Sequence, residues 1–413
     1  MSNLEDLPDE IILKILKNLE IGELVFCSKV SKKFRTISQD KSLWKKVNIC
    51  DEKIPFGLVK QIVQNGCNYL SLYHCDVLGA NSGFNRASQL KYLDLSFFKG
   101  NLKRLEALLS SCYSLQKLSL ANLTLNLEII EIVCTQNGQT LQVLDLAFCK
   151  GLSYDSDSVE CIVNNCRSLT ELNLNFTELS EASVKYLTQH LTPNITKLNV
   201  GYLKWINSEC VELLVNRCDK ITTLDLQSTS INTLCVITDL KRTYTNMVEL
   251  DVGGNSETEY FNDLFAGNML KSMPNLKVYN CDSAYLQEDT LLEHRFPGLK
   301  INQGGLKIAT PEQSFNPDLG FWDIEASKVS YLGPVKGLCE ASDNSDMLSD
   351  YSTYCISDTS TDITKLTSLS HHFATRAHRP SLKSLDTAAC KKMDSDLDEF
   401  IALKAKFHHF LPF

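Results

Sequence analysis

Through the middle of this chain an apolar residue is followed at +3 and +5 by two more, over and over and in phase. The triplets are Leu90, Leu93 and Leu95; Leu115, Leu118 and Leu120; Leu141, Leu144 and Leu146; Leu169, Leu172 and Leu174; Ile195, Leu198 and Val200; Ile221, Leu224 and Leu226; and Met247, Leu250 and Val252. Weaker copies flank them: Cys67, Leu70 and Leu72 before, then Leu276, Tyr279 and Cys281 and finally Phe296, Leu299 and Ile301. The starts at 67, 90, 115, 141, 169, 195, 221, 247, 276 and 296 are spaced by 23, 25, 26, 28, 26, 26, 26, 29 and 20 residues. Side chains alternate along a strand, so the last two apolar residues of each triplet face the same way. A strand that short cannot bury them alone. Equivalent strands must stack side by side, each repeat touching only its neighbours.

The second halves of the repeats read as helices. Val159, Ile162, Val163 and Cys166 mark one face in 155–166, Val211, Leu214, Val215 and Cys218 do so in 207–218, and Leu127, Ile130, Val133 and Cys134 repeat the spacing. A period of roughly 20–29 residues around an LxxLxL core is the leucine-rich-repeat signature. Helices take up more length per repeat than strands. The expected fold is therefore α/β, a curved solenoid of about ten repeats over 67–303 with a concave parallel sheet and convex helices.

Between the leucines of each LxL lies one residue that points outward: Ser71, Asp94, Ser119, Asp145, Asn173, Asn199, Asp225, Asp251 and Asn280. Four aspartates and no basic residue in that column, with a formal net charge of −9, argue against nucleic acid, whose phosphates would be repelled. The expected use is a docking floor for a protein substrate, with Asp145, Asp225 and Asp251 meeting a basic epitope. The substrate-binding set expected on this face is Tyr92, Asp94, Asp145, Asn173, Asn199, Asp225, Asp251 and Trp205. Aromatics at Phe97, Phe98, Phe148, Phe176 and Tyr202 lie just beyond the strands.

Sixteen cysteines are spread through 413 residues without one CxxC pair. Cys112, Cys166 and Cys218 each precede a triplet by three residues, and Cys75 and Cys149 follow one by three. At such positions cysteine acts as a small buried hydrophobe. Reduced thiols, and hence a cytoplasmic or nuclear setting, are expected. No run approaches the ~18 apolar residues of a membrane span, so no membrane partner is expected.

Before the repeats stands a short apolar-rich unit. Leu4 to Ile12 opens a helix that Asp6 can cap, with Pro8 early in the turn and Asp9 and Glu10 at its positive end. Two or three short helices follow, ending at Leu43 and Trp44. A helical unit of this size is hard to stabilise alone, so part of its apolar surface should be completed by the first repeat or by a partner. Residues 49–66 read as a link and capping helix, with Leu58, Ile62 and Val63 on one face.

Leu7, Pro8, Glu10 and Ile11, then Ile15 and Leu16, Val30 to Lys32, Phe34 and Arg35, and Leu43 and Trp44 together resemble an F-box over residues 1–48. Placed before cysteine-containing repeats, they make 4–301 similar to the F-box/leucine-rich-repeat family. The resemblance implies a substrate-receptor subunit of Skp–cullin–F-box ubiquitin ligases. The box would bind a small Skp-type adaptor, and through it cullin and RING subunits, while the repeats hold the substrate. Carried over by position, the adaptor contacts are Leu7, Pro8, Ile11, Ile12, Ile15, Leu16, Leu24, Val30, Leu43 and Trp44. Phe34 stands where that family commonly has tryptophan. Two other readings stay open: a plain scaffold or inhibitor, and an F-box protein that uses the adaptor without cullin.

The tail, 304–413, is expected to be partly disordered. Phe321, Trp322 and 329–332 are apolar enough to be held down, either capping the final repeat or running back along the concave face as the resemblance implies. Residues 340–362 hold six acidic residues and no basic one, which favours disorder. His371, His372, His378, Cys355 and Cys390 lack the spacing of a closed metal site. A last amphipathic helix is expected over 394–411. No GxSxG elbow, phosphate loop or HExxH occurs, so neither cofactor nor chemistry of its own is expected.

Overall fold

The computed structural model describes residues 4–19, 21–80, 83–152, 157–233, 236, 246–255, 270–281, 296–302, 305–306, 308–311 and 330–331. All lie in the first of two compact units, 1–340 and 341–413. The acidic stretch after residue 340, the tail residues His371, His372, His378, Cys355 and Cys390, the last helix, Phe321 and Trp322 fall outside the described residues.

A single 3-10 turn, Leu4–Asp6, precedes the helices α1 (Asp9–Leu16), α2 (Ile21–Val30), α3 (Lys32–Ser38) and α4 (Lys41–Trp44). The expected Asp6 cap is not made. Pro8 is the N-cap of α1, its carbonyl accepting from the Ile11 and Ile12 amides, and Asp6 belongs to the preceding turn. The Ser31 and Asp40 side chains cap α3 and α4 through the Phe34 and Ser42 amides. Ile12, Leu16, Ile21, Leu24, Cys27, Phe34, Ile37, Leu43 and Trp44 form the core of this bundle. The Trp44 indole Nε1 donates to the Ser38 carbonyl at 2.6 Å, so the largest core side chain leaves no polar atom unpaired.

The chain then passes without a break into the sheet. Strand β1 (Lys46–Asn48) is followed by β2 (Lys53–Pro55), α5 (Phe56–Gln64), β3 (Tyr69–Ser71), β4 (Asp76–Leu78) and β5 (Tyr92–Asp94). Strand and helix alternate from there: α6 (Leu102–Leu109), β6 (Lys117–Ser119), α7 (Leu127–Asn137), β7 (Val143–Asp145), α8 (Asp157–Asn165) and β8 (Glu171–Asn173). Next come α9 (Glu181–His190), β9 (Lys197–Asn199), α10 (Ser208–Arg217), β10 (Thr223–Asp225), β11 (Glu249–Asp251), β12 (Val278–Asn280), β13 (Lys300–Ile301) and β14 (Ser330–Tyr331).

All ten triplets found in the sequence are rungs of one parallel sheet, ordered β13 to β5, then β3, β1 and β14. Their middle residues sit in register from Leu70 and Leu93 to Leu250 and Tyr279, whereas Tyr279 is met in the last rung by Ile301, the third residue of its triplet, so that copy is offset by two positions. An eleventh rung precedes them. Trp44, Val47 and Ile49 repeat the triplet spacing and are buried, and β1 pairs with β3. Residues 49–66, expected as a link and capping helix, hold that helix as α5, with Leu58, Ile62 and Val63 buried, and form the return half of this first rung.

The helices start where side chains can take up free amides. Asn101, Asn126, Ser180 and Asn207 accept from the amides of Arg104, Ile129, Ser183 and Cys210. The described repeat cysteines are free thiols, buried at Cys67, Cys75, Cys112, Cys134, Cys149, Cys166, Cys218 and Cys281 and half-buried at Cys50, Cys161 and Cys210. Cys75 donates to the Ile49 carbonyl at 3.3 Å and Cys149 to the Leu120 carbonyl at 3.0 Å, each reaching the preceding rung.

The tail strand lies elsewhere than a cap on the last repeat. Strand β14 pairs with β1 at the opposite end, Ser330 beside Val47 and Tyr331 beside Asn48. Earlier in the tail, Ile308 and Ala309 are buried against Val143 of β7, and the Ala309 amide donates to Glu171 Oε2 of β8 at 3.3 Å. Residues 308 and 309 thus rest on the middle of the concave face, a contact the sequence reading did not assign to them.

Candidate protein-binding surfaces

The column of residues between the leucines is structural. Asp94 and Asp145 have no exposed surface, and Asn173, Asn199, Asp225 and Asp251 are no more than 4% exposed. Each folds back on its own strand end. One Oδ1 accepts from the amide two residues on: Ser96 for Asp94, Ala147 for Asp145, Asn175 for Asn173, Gly201 for Asn199, Gln227 for Asp225 and Gly253 for Asp251. Short side chains that hydrogen-bond nearby backbone suit this position.

The second carboxylate oxygens reach sideways. Ser71 Oγ donates to Asp94, Ser119 Oγ to Asp145 and Asn280 Nδ2 to Asp251, at 2.9, 2.9 and 2.7 Å. Burial pushes the carboxyls of Asp94, Asp145 and Asp225 upward, the last two to about 7, and the neighbouring Asp251 adds to the shift at Asp225. The expectation that Asp94, Asp145, Asn173, Asn199, Asp225 and Asp251 greet a substrate is therefore corrected. A buried, self-satisfied carboxyl offers a partner no hydrogen bond, and the basic epitope inferred from these charges falls with it.

Two residues earlier the outward side chains of Tyr69, Tyr92, Lys117, Glu171, Lys197 and Glu249 remain half-exposed, while Val143 and Thr223 are buried. Tyr92 crosses Tyr69 edge to face at 4.6 Å between centroids, with Lys117 Nζ 5.3 Å from the Tyr92 ring and Lys46 Nζ 5.4 Å from the Tyr69 ring. Lys197 pairs with Glu171 at 3.2 Å. Of this column only Tyr92 was among the expected contacts. Tyr69, Lys117, Glu171 and Lys197 share its register.

At the strand ends the chain turns through a left-handed residue once per rung. Asp51, His74, Phe97, Asn122, Phe148, Phe176, Tyr202 and Ser228 have φ of 57, 55, 58, 60, 59, 54, 60 and 50°. Asparagine, aspartate and histidine tolerate this region, whereas bulky side chains are outliers there. Four aromatic occupants carry a cost of about 1 kcal/mol or more each. The backbone holds them firmly, the amides of Phe97, Phe148, Phe176 and Tyr202 donating to Ala121, Asn175, Gly201 and Gln227 on the next rung. Phe148 and Phe176 stack at 4.6 Å and 13°, Phe176 and Tyr202 at 3.6 Å and 18°. Phe97, Phe148 and Phe176 stay 37%, 45% and 40% exposed. Trp205, an expected contact, is exposed near the end of this row with Lys204 Nζ 5.0 Å from its ring.

The helical bundle presents a second apolar surface. Among the residues expected to meet an adaptor, Ile11 and Val30 are 45% and 50% exposed, Pro8 is exposed, and Leu7 and Ile15 are half-buried. Phe26, which the sequence reading omitted, is 48% exposed on the same helix as Val30. Ile12, Leu16, Leu24, Leu43 and Trp44 are at most 5% exposed. Those five are corrected from contacts to core: their methyl and ring surfaces are spent inside the bundle. Lys33 straps the chain entering α1, donating to the Glu5 and Leu7 carbonyls at 2.8 and 2.7 Å and pairing with Asp9 at 3.3 Å.

Comparison with known proteins agrees with this division. The family model described as the SKP2 LRR domain matches residues 57–328, and the F-box-like model matches residues 4–50. A transport inhibitor response 1-like protein of Oryza sativa subsp. japonica is 31% identical over 156 residues, 37% of this chain and 25% of that protein. This chain thus spans about a quarter of that relative's length. The leucine-rich repeat-containing protein LegL7 of Legionella pneumophila is similar at a TM-score of 0.35 and 16% identity, over 55% of this chain and 70% of that one. With an F-box-like bundle joined to repeats of the SKP2 type, the chain belongs to the F-box/leucine-rich-repeat family.

Proposed function

We propose that this chain is a non-catalytic substrate receptor of a Skp–cullin–F-box ubiquitin ligase. The observation that carries the reading is the apolar surface left open on a bundle whose core is already complete. Ile11, Phe26 and Val30 are about half exposed, while nine other apolar side chains close the interior beneath them. Such a surface suits a helix pair of a small adaptor, laid against α1 and α2. Cullin and RING subunits would join through that adaptor. The repeats would hold a protein substrate, and catalysis would be by proximity, a substrate lysine being kept near a ubiquitin-charged enzyme carried elsewhere in the complex. Buried free thiols throughout the described repeats support a reducing cytoplasmic or nuclear setting.

The test is affinity purification of the full chain beside a Phe26→Asp, Val30→Asp variant with the proteasome inhibited. The Skp-type adaptor should accompany the wild type and be lost from the variant. Equal recovery from both would overturn the reading.

A further inference from the structure

Four of the left-handed turns end in aromatic rings where the same fold elsewhere uses asparagine, aspartate, histidine, serine or glycine. The equivalents at Asp51, His74, Asn122, Ser228 and Gly254 show that the turn itself needs no ring. Burial does not explain the rings either, since Phe97, Phe148 and Phe176 are exposed. Phe148, Phe176 and Tyr202 gain ring-on-ring contact from rung to rung, and part of this row's surface stays open to solvent.

The stacking decides which face a partner would meet. Phe148, Phe176 and Tyr202 lie within 18° of parallel, ring on ring. Their π faces are turned to one another and their edges outward. Ring edges carry the positive end of the quadrupole, so they favour carboxylates and the faces of incoming aromatic rings. Charge points the same way. An exposed lysine stands two residues after three of the four aromatics: Lys99 after Phe97, Lys150 after Phe148 and Lys204 after Tyr202. The same place holds exposed Glu178 after Phe176, and Lys53, Asp76, Thr124 and Ser230 after Asp51, His74, Asn122 and Ser228, so a lysine follows three of the four aromatic turns and one of these four others. Meanwhile the buried aspartates of the strands cannot receive a basic partner, and Ile308 and Ala309 occupy part of the concave floor.

We propose that the row Phe97, Phe148, Phe176 and Tyr202, with Lys99, Lys150 and Lys204, is the docking strip for an extended acidic segment of the substrate carrying aromatic anchors. The proposal rests on the receptor reading above and gives that reading a place and a charge. Aromatic anchors would cross the ring edges while carboxylates face the lysines, charge setting specificity more than affinity.

The experiment uses the full chain with its adaptor and three fluorescein-labelled peptides of equal length, followed by polarisation. One alternates glutamates around two phenylalanines, one replaces each glutamate by lysine, and one replaces each phenylalanine by serine. The first should bind about tenfold tighter than either other. The triple variant Phe148→Asn, Phe176→Asn and Tyr202→Asn should lose that binding by about tenfold or more, with its melt no lower than wild type, because asparagine already serves at position 122. Lys150→Glu with Lys204→Glu should weaken the acidic peptide and strengthen the lysine peptide. Equal affinity for all three peptides, no binding to the wild type, or full binding by the asparagine variant would each overturn the strip. Adaptor recovery is read on the same samples. Adaptor retained with peptide binding absent fails the strip alone, and adaptor absent with peptide bound fails the receptor reading instead.

Discussion

The Ser119 hydroxyl donates to the Asp145 carboxylate of the next strand at 2.9 Å, and the other oxygen of that carboxylate takes the Ala147 amide at 3.1 Å. One short side chain thereby ties two rungs together and closes its own strand end, at the cost of an anion held out of water.

That cost sets a pH dependence. Asp145 and Asp225 have folded pKa values raised to about 7, chiefly by burial, against about 3.9 in an unfolded chain. Between those values the folded state holds protons that the unfolded state has released, so stability falls as pH rises from about 4 to about 7. Asparagine keeps the acceptor for Ala147 and loses the charge. Asp145→Asn should match wild type near pH 4 and exceed it at pH 8, by roughly 1–4 kcal/mol in urea unfolding. Asp145→Ala, which loses both bonds, should be destabilised by about 1–3 kcal/mol at pH 4. An asparagine variant weaker than wild type at pH 8 would contradict the account.

Trp44 belongs to two structures at once, closing the bundle core and opening the first rung. Trp44→Phe keeps most of the ring and strands the Ser38 carbonyl, a loss of about 1–3 kcal/mol. Trp44→Ala should cost about 3–5 kcal/mol and disturb bundle and first rung together. Hydrogen exchange at the Leu16 and Leu70 amides is the check, both accelerating in the alanine variant.

Phe26 and Val30 should behave in the opposite way. Half exposed, they can become aspartate with a change in stability within about 0.5 kcal/mol. The same substitutions should abolish adaptor recovery. A variant with a much lower melting temperature would show that these side chains support the bundle rather than a partner.

Ile308 has no exposed surface and packs on Val143 with Ala309 and Leu306. Ile308→Ala should cost about 2–4 kcal/mol if the tail is held as tightly as the rungs beneath it. Limited proteolysis of this variant should cut between 303 and 331 before it cuts the repeats. Cleavage of the repeats first, or no change at all, would mean that the tail contributes nothing there.

What could be read from the residues depended on repetition. Ten copies of one apolar spacing outvote any local ambiguity; all ten are strands of one sheet, nine of them in register and the last offset by two residues. The first rung escaped notice because Trp44, Val47 and Ile49 fall where a helical unit was ending, and a single triplet is a weak signal. Helix α2 is apolar nearly all round, with Ile21, Leu24, Val25, Phe26, Cys27 and Val30, so periodicity could not say that Leu24 turns in and Phe26 out. Asp94 and Asp145 do leave the strand on the outward side, as alternation requires. Alternation says nothing of a short side chain curling back onto the next amide but one. Strand β14 has two residues and no sequence signature, and its partner is almost three hundred positions away.

The direct passage from α4 into β1 has a mechanical consequence. Trp44 locks one side of that junction and the Lys46–Asn48 pairing with β3 locks the other, so no swivel point lies between them. A push on the bundle is passed to the solenoid as to a single lever, and under the receptor reading proposed above cargo on a given rung would stand at a set distance from an adaptor on α1 and α2. Moving the seat by one rung changes that distance by one strand spacing, roughly 4.8 Å, which makes the ladder a ruler graduated in repeats.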